Sequence, residues 1–163
     1  MQKITTFLTF NNQAEEAVNL YTSTFKNAKI LNSRRYGDAG PGLKGSMMTA
    51  EFELEGQRFI ALNGGPSFTF SQGISLFVNC ETQAEIDELS AKLTAAGGRQ
   101  EPCGWVTDKF GVSWQIVPTI LGKLLGDRDP AKAKRVMQAM LQMKKLDIAT
   151  LEQAAEGAVS VSR

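Results

Sequence analysis

Histidine is absent from all 163 residues. That absence removes the commonest general base near neutral pH and the imidazole ligand that transition-metal sites most often use. Cysteine is scarce: Cys80 and Cys103 are the whole set and match no zinc spacing. Their number permits one disulfide, but a reducing compartment favours two free thiols. An excess of one charge is missing too, with 18 Lys and Arg against 17 Asp and Glu and a net charge of +1. That balance argues against a dedicated nucleic-acid partner, which needs a concentrated basic surface. The densest basic stretch, Lys132, Lys134, Arg135, Lys144 and Lys145, reads as a solvated helix face. No apolar run approaches the roughly 20 residues that span a bilayer, so no membrane partner is expected. The opening MQKITTFLTF alternates polar and apolar residues without a signal-peptide core, which points to the cytoplasm.

What is present is an ordinary globular composition, 42% hydrophobic and 21% charged. The length suits one domain with a substantial core, or two small ones sharing an interface. Lys3 to Phe10 reads as a strand. Asn12 with Glu15 then forms a capping box, and Ala14, Ala17, Val18, Tyr21 and Phe25 give one apolar helical stripe. Lys29 to Tyr36 is a strand, Gly37 to Gly45 a mobile glycine-rich loop, and Ser46 to Leu54 and Gln57 to Leu62 a hairpin turning at Glu55-Gly56.

The second half replays this order. Gly73 to Val78 is a strand, and Thr82 with Glu85 is a second capping box. Ile86, Leu89 and Leu93 make the helical stripe, and Gly97-Gly98 the helix stop. Arg99 to Val106 is extended or loop-like, Asp108 to Gly111 a turn, and Val112 to Val117 a strand closed by Pro118. The two opening strands lie about 68 residues apart. Several strands per half, rather than one per helix, argue against a doubly wound parallel sheet and predict an α+β fold of paired modules. Module one spans about 1–70 and module two about 71–118. A helical tail over 119–157 starts with Asp129-Pro130 and carries the apolar set Val136, Met137, Met140, Leu141 and Met143. Asp147 opens its last helix, Gly157 ends it, and 158–163 read as frayed.

Three segments carry a resemblance: GISLFVNCETQAEIDELSAKL, CGWVTDKFGVSWQIVP and VMQAMLQMKKLDIATLEQA. Together they resemble the PhnB-like branch of the vicinal oxygen chelate (glyoxalase/bleomycin-resistance) superfamily, often labelled 3-demethylubiquinone-9 3-methyltransferase-like, from about Ile4 to Gly157. The resemblance implies paired βαβββ modules, each curling its strands into a cup that holds a small-molecule ligand, and a homodimer. It also implies four equivalent metal-ligand positions, at or near Thr5, at Asn63, near Gly73 and at Gln115. None is histidine or carboxylate, so the expectation is no metal and no cofactor. The methyltransferase label implies S-adenosylmethionine, usually held by a glycine-rich turn after the first strand. Asn11-Asn12-Gln13 stands there instead.

What remains suits binding. The candidate ligand-binding residues are Asn63, Gln115, Trp105, Phe68 and Arg35, offering amides, aromatic surface and a cation for an anion. Alternation puts Trp114 and Gln115 on opposite sides of their strand, so an inward Gln115 leaves Trp114 under the helix. Glu51 and Glu53 are free to face cup or solvent. Two functions stay open: a metal-independent small-molecule binder, or a lyase, isomerase or dioxygenase-like enzyme whose metal uses unusual ligands.

Overall fold

The computed structural model describes residues 2–157; the expected fraying of 158–163 lies outside them. The chain divides into two compact units that meet between Phe70 and Ser71.

The first unit runs β1 (Thr6–Phe10), α1 (Ala14–Thr24), β2 (Ala28–Arg35), β3 (Met47–Leu54) and β4 (Gln57–Asn63). Its sheet order is β1-β4-β3-β2, with β1 parallel to β4 and the other pairs antiparallel. One face of this sheet supplies Leu8, Phe10, Ala50, Phe52, Leu54, Phe59 and Ala61. All are buried, together with Ala14, Ala17, Val18 and Tyr21 of α1. The expected helix stripe is therefore the one that packs on the sheet. The β3–β4 hairpin turns at Glu55 and Gly56, both at positive φ (48° and 82°), which matches the twist of two antiparallel strands.

Two local expectations change. β1 begins at Thr6 rather than Lys3. The N-cap of α1 is Gln13, not Asn12, and it makes no side-chain bond. Its place is taken from across the sheet: Asn63 Oδ1 accepts the Ala14 amide at 2.8 Å. The glycine-rich segment 37–45 is closed against Tyr36. Tyr36 N donates to Ser46 O and Gly45 N to Tyr36 O, each at 2.9 Å. A Cβ on Gly42 would collide with the Tyr36 ring.

The second unit repeats the order: β5 (Leu76–Cys80), α2 (Gln83–Thr94), β6 (Arg99–Gln100), β7 (Trp105–Thr107) and β8 (Ser113–Pro118). The sheet order β5-β8-β7-β6 and the parallel β5–β8 pairing reproduce the first unit. The expected strand start at Gly73 moves to Leu76. Thr82 does cap α2, its hydroxyl accepting Glu85 N at 3.2 Å, while the Glu85 carboxylate reaches back to Glu81 N at 2.9 Å. The chain is thus an α+β fold of paired βαβββ modules with a helical extension.

The extension comprises α3 (Thr119–Leu125), α4 (Pro130–Leu141) and α5 (Ile148–Glu156). Asp129 and Asp147 cap the last two as expected, and Gly157 takes the left-handed stop at φ 77°. Val117, Leu121, Val136, Leu146, Leu151 and Ala155 form its core, with Met140 and Met143 packed against them. Met137 and Leu141 are exposed, so the methionine face is split rather than wholly packed.

The extension is also stitched to the turn before β7. Cys103 N donates to Met143 O (2.9 Å) and Gly104 N to Lys144 O (2.7 Å). Gly104 has φ 82°, and a Cβ there would lie 2.8 Å from both Ile116 O and a Leu146 methyl. Gly104→Ala should therefore destabilise the protein by about 1–3 kcal/mol through backbone strain and collision. Urea melts of the two proteins check this, and an unchanged midpoint would contradict the close packing.

Candidate functional site

Of the five candidate ligand residues, Arg35, Asn63 and Phe68 lie in the first unit and Trp105 and Gln115 in the second. Asn63 is 9% exposed and its amide is already employed. Oδ1 caps α1, while Nδ2 donates to Met47 O at 3.0 Å. Its backbone carbonyl accepts the Tyr36 hydroxyl at 2.6 Å. Asn63 thus holds β4, α1, β3 and the glycine-rich loop together. Arg35 forms a 2.7 Å ion pair with Glu15 of α1 and donates to Gly45 O, which holds the Glu15 carboxyl below the usual carboxylate range. Register puts its neighbour Arg34 opposite Thr49, on the face away from α1. Phe68 is 53% exposed in the loop after β4.

Register also corrects the repeat equivalence. In the two parallel ladders Phe10 pairs with Asn63 and Cys80 with Pro118, so Asn63 corresponds to Pro118. Phe7 pairs with Ile60 and Phe77 with Gln115, so the counterpart of Gln115 is Ile60. Asn63 and Gln115 consequently lie on different faces of their sheets: Asn63 with buried Ala61, Gln115 opposite in sense to buried Trp114. Thr5 and Gly73 fall outside the strands altogether.

The four positions therefore do not fit a transition metal. The Asn63 oxygen is taken by an amide proton, Gln115 Nε2 donates to Ser75 Oγ at 2.8 Å, and neither Thr5 nor Gly73 supplies an anionic donor. Nor do the described residues hold a group of three or more His, Cys, Asp or Glu suited to a metal.

The faces away from the helices differ sharply. In the first unit Glu51 and Glu53 lie there, answered by Arg58 at 3.6 and 3.8 Å, by Lys29 at 3.5 Å and by the Asn32 amide. In the second unit the corresponding cross-strand row is Phe77, Gln115 and Trp105. Beside it opens a cleft of about 360 Å³ lined by Gln72, Glu101, Pro102, Trp105, Thr107 and Ser113.

The cleft's chemistry follows from its strands. Ser113 and Thr107 pair across β7 and β8, both buried. Thr107 Oγ1 donates to Glu101 Oε1 at 3.3 Å, and Arg99 Nε reaches the same oxygen at 3.0 Å. The Ser113 hydroxyl oxygen is buried and has no hydrogen-bond partner. On the other side of β8, Trp114 is 1% exposed and donates to Asp108 Oδ2 at 2.9 Å. Asp108 Oδ1 accepts Phe110 N and Val112 N, closing the turn into β8.

Of the candidates, Trp105 lines the cleft and Gln115 neighbours it in register. Sequence reasoning missed Ser113, Thr107, Glu101, Pro102 and Gln72. Ser113 was findable, since it stands two residues before Gln115 on the same face. Both thiols are free. Cys80 is buried and its thiol is pushed up to about 12 by burial and by the Glu85 and Glu81 charges, so it packs rather than reacts.

Because Asn63 serves architecture, Asn63→Ala should cost about 1–3 kcal/mol by stranding the Ala14 amide and the Met47 carbonyl. Thermal and urea unfolding measure this, and a stability within 0.5 kcal/mol of the parent would refute the role.

A family model described as 3-demethylubiquinone-9 3-methyltransferase matches residues 2–117, ending before α3. A solved structure from Bacillus cereus, described as a putative 3-demethylubiquinone-9 3-methyltransferase, PhnB protein, is similar at 41% identity with a TM-score of 0.63. The likeness covers 72% of this chain and 100% of that one. A protein from Pseudomonas aeruginosa is similar at 24% identity and TM-score 0.59, over 72% of this chain and 98% of its own. A fosfomycin resistance protein from Listeria monocytogenes, complexed with Mn(II) and 1S,2S-dihydroxypropylphosphonic acid, shares the fold at 14% identity and TM-score 0.52, over 71% of this chain and 92% of its own. No curated protein matches. The chain belongs to the 3-demethylubiquinone-9 3-methyltransferase-like, or PhnB-like, family.

Proposed function

We propose that the protein is a metal-independent small-molecule binder whose site is the cleft beside β7 and β8. The carrying observation is the Ser113 hydroxyl, buried on the cleft wall without a partner. An unpaired buried hydroxyl costs about 1–3 kcal/mol, which a ligand that bonds it recovers. Ser90 Oγ is likewise unpartnered, but it sits on α2 and lines no part of this cleft. Trp105 supplies a stacking surface and Gln115 an amide with a free oxygen in the adjoining row. A methyl-transfer role has little support, because β1 is followed by Asn11-Asn12-Gln13 rather than a glycine-rich turn into α1.

A thermal-shift screen of small hydroxylated aromatics, with S-adenosylmethionine included, tests this reading on the dialysed protein. Hits should raise the melting temperature without added metal, and Trp105→Ala should abolish the shift while Ser90→Ala leaves it intact. S-adenosylmethionine should give none. Hits that appear only with stoichiometric zinc, nickel, iron or manganese would instead favour the metal-dependent enzyme.

The protein is further proposed to act as a cytoplasmic homodimer. Supporting this, Phe7 and Phe77 occupy equivalent positions on the faces away from the helices and are 51% and 54% exposed. Such apolar surface is commonly covered by a second copy. Light scattering should return twice 17.8 kDa; a monomer across micromolar concentrations would end the proposal.

A further inference from the structure

The cleft wall carries a single charged group, and this points to the class of ligand, given the binding site proposed above. Among the six lining residues the one charge is the Glu101 carboxylate. Its Oε1 is occupied twice, by Arg99 Nε and by Thr107 Oγ1, while Oε2 has no partner. A carboxylate accepts only, so the Thr107 proton is committed to it and Thr107 offers a ligand just its lone pairs. The Arg99 guanidinium is bound by its Nε to Glu101 and lies outside the lining. Gln72 can donate or accept, and Ser113 alone has an uncommitted hydroxyl proton. Pro102 and the face of the Trp105 indole provide apolar wall, while the indole N–H can only donate.

We infer that the cleft selects a ligand that donates hydrogen bonds: a small molecule bearing a hydroxyl or protonated amine on a flat apolar body, with carboxylates and phosphonates rejected. The donor sits on Glu101 Oε2 and its own lone pair, where it has one, accepts from Ser113. The flat body lies against Trp105 and Pro102, a geometry that also suits a cation over an indole face. An anion brought to the same place meets the like charge of the Glu101 carboxylate. A donor-selecting cleft also separates this chain from its Listeria fold relative, which was solved with a phosphonic acid and Mn(II).

The test uses the full-length protein, labelled with nitrogen-15, and four probes of one size: benzylamine, benzyl alcohol, benzoate and phenylphosphonate. Backbone amide signals of Glu101, Trp105 and Ser113, with the Trp105 indole signal, report occupancy. Benzylamine and benzyl alcohol should shift them saturably, at least tenfold more tightly than either anion. Glu101→Gln should weaken benzylamine at least tenfold and benzyl alcohol less than threefold, since only the ammonium needs the full charge. Phenylphosphonate or benzoate binding as tightly as benzylamine would overturn the selectivity while leaving the binding site standing. If no probe moves Trp105 or Ser113, the binding site itself falls, and the selectivity with it.

Discussion

The second unit is organised around the Asp108 carboxylate, buried to 2% exposure at the turn into β8. One oxygen takes two backbone amides of its own turn, and the other takes the Trp114 indole. Charge-assisted bonds of this sort are about twice as strong as neutral ones, and they fix both the turn and the rotamer of the largest side chain in the core. Once Trp114 is locked toward the helix, strand alternation leaves Ser113 and Gln115 no choice of face. The cleft is therefore a consequence of a structural carboxylate that never touches it.

Much of this was readable beforehand, and for definite reasons. The two amphipathic helices, the Thr82 cap, the Asp129-Pro130 and Asp147 starts and the Gly157 stop all depend on neighbours within one turn. Local rules suffice where causes are local. Asn12 failed as a cap because the amide it should have served is held from 49 residues away, by Asn63 at the end of a parallel strand. No sequence window sees that contact. The same parallel pairing fixes the repeat register, which is why Asn63 and Gln115 looked equivalent by pattern and are not. The cleft escaped notice for a related reason. β7 has three residues, with a turn through Pro102, Cys103 and Gly104 before it, and shows no strand periodicity to place Thr107 or Glu101.

Two modules of one topology have diverged into different surfaces. At the position of Gln115 the first unit carries Ile60, and at the position of Trp105 it carries Glu51. The first sheet spends its far face on a lattice of Glu51, Glu53, Arg58 and Lys29, half-exposed pairs that each contribute little stability. Such a lattice satisfies its own charges. The second unit leaves Ser113 Oγ buried and unsatisfied, and an unsatisfied group is what a ligand can reward.

The helical extension completes this asymmetry. The family model matches residues 2–117, so α3 to α5 lie beyond the matched residues. The extension is not a loose appendage. Gln83 of α2 donates to Leu146 O and accepts from Ile148 N, and Lys145 pairs with Asp87 at 2.7 Å. From that anchorage the Met143 and Lys144 carbonyls grip the Cys103 and Gly104 amides. Cys103 sits at φ 59°, a conformation a non-glycine residue holds only when its surroundings impose it. The two carbonyls are the imposition. They set where Pro102 ends and Trp105 begins, so the apolar wall of the cleft is placed by residues beyond the reach of the family match.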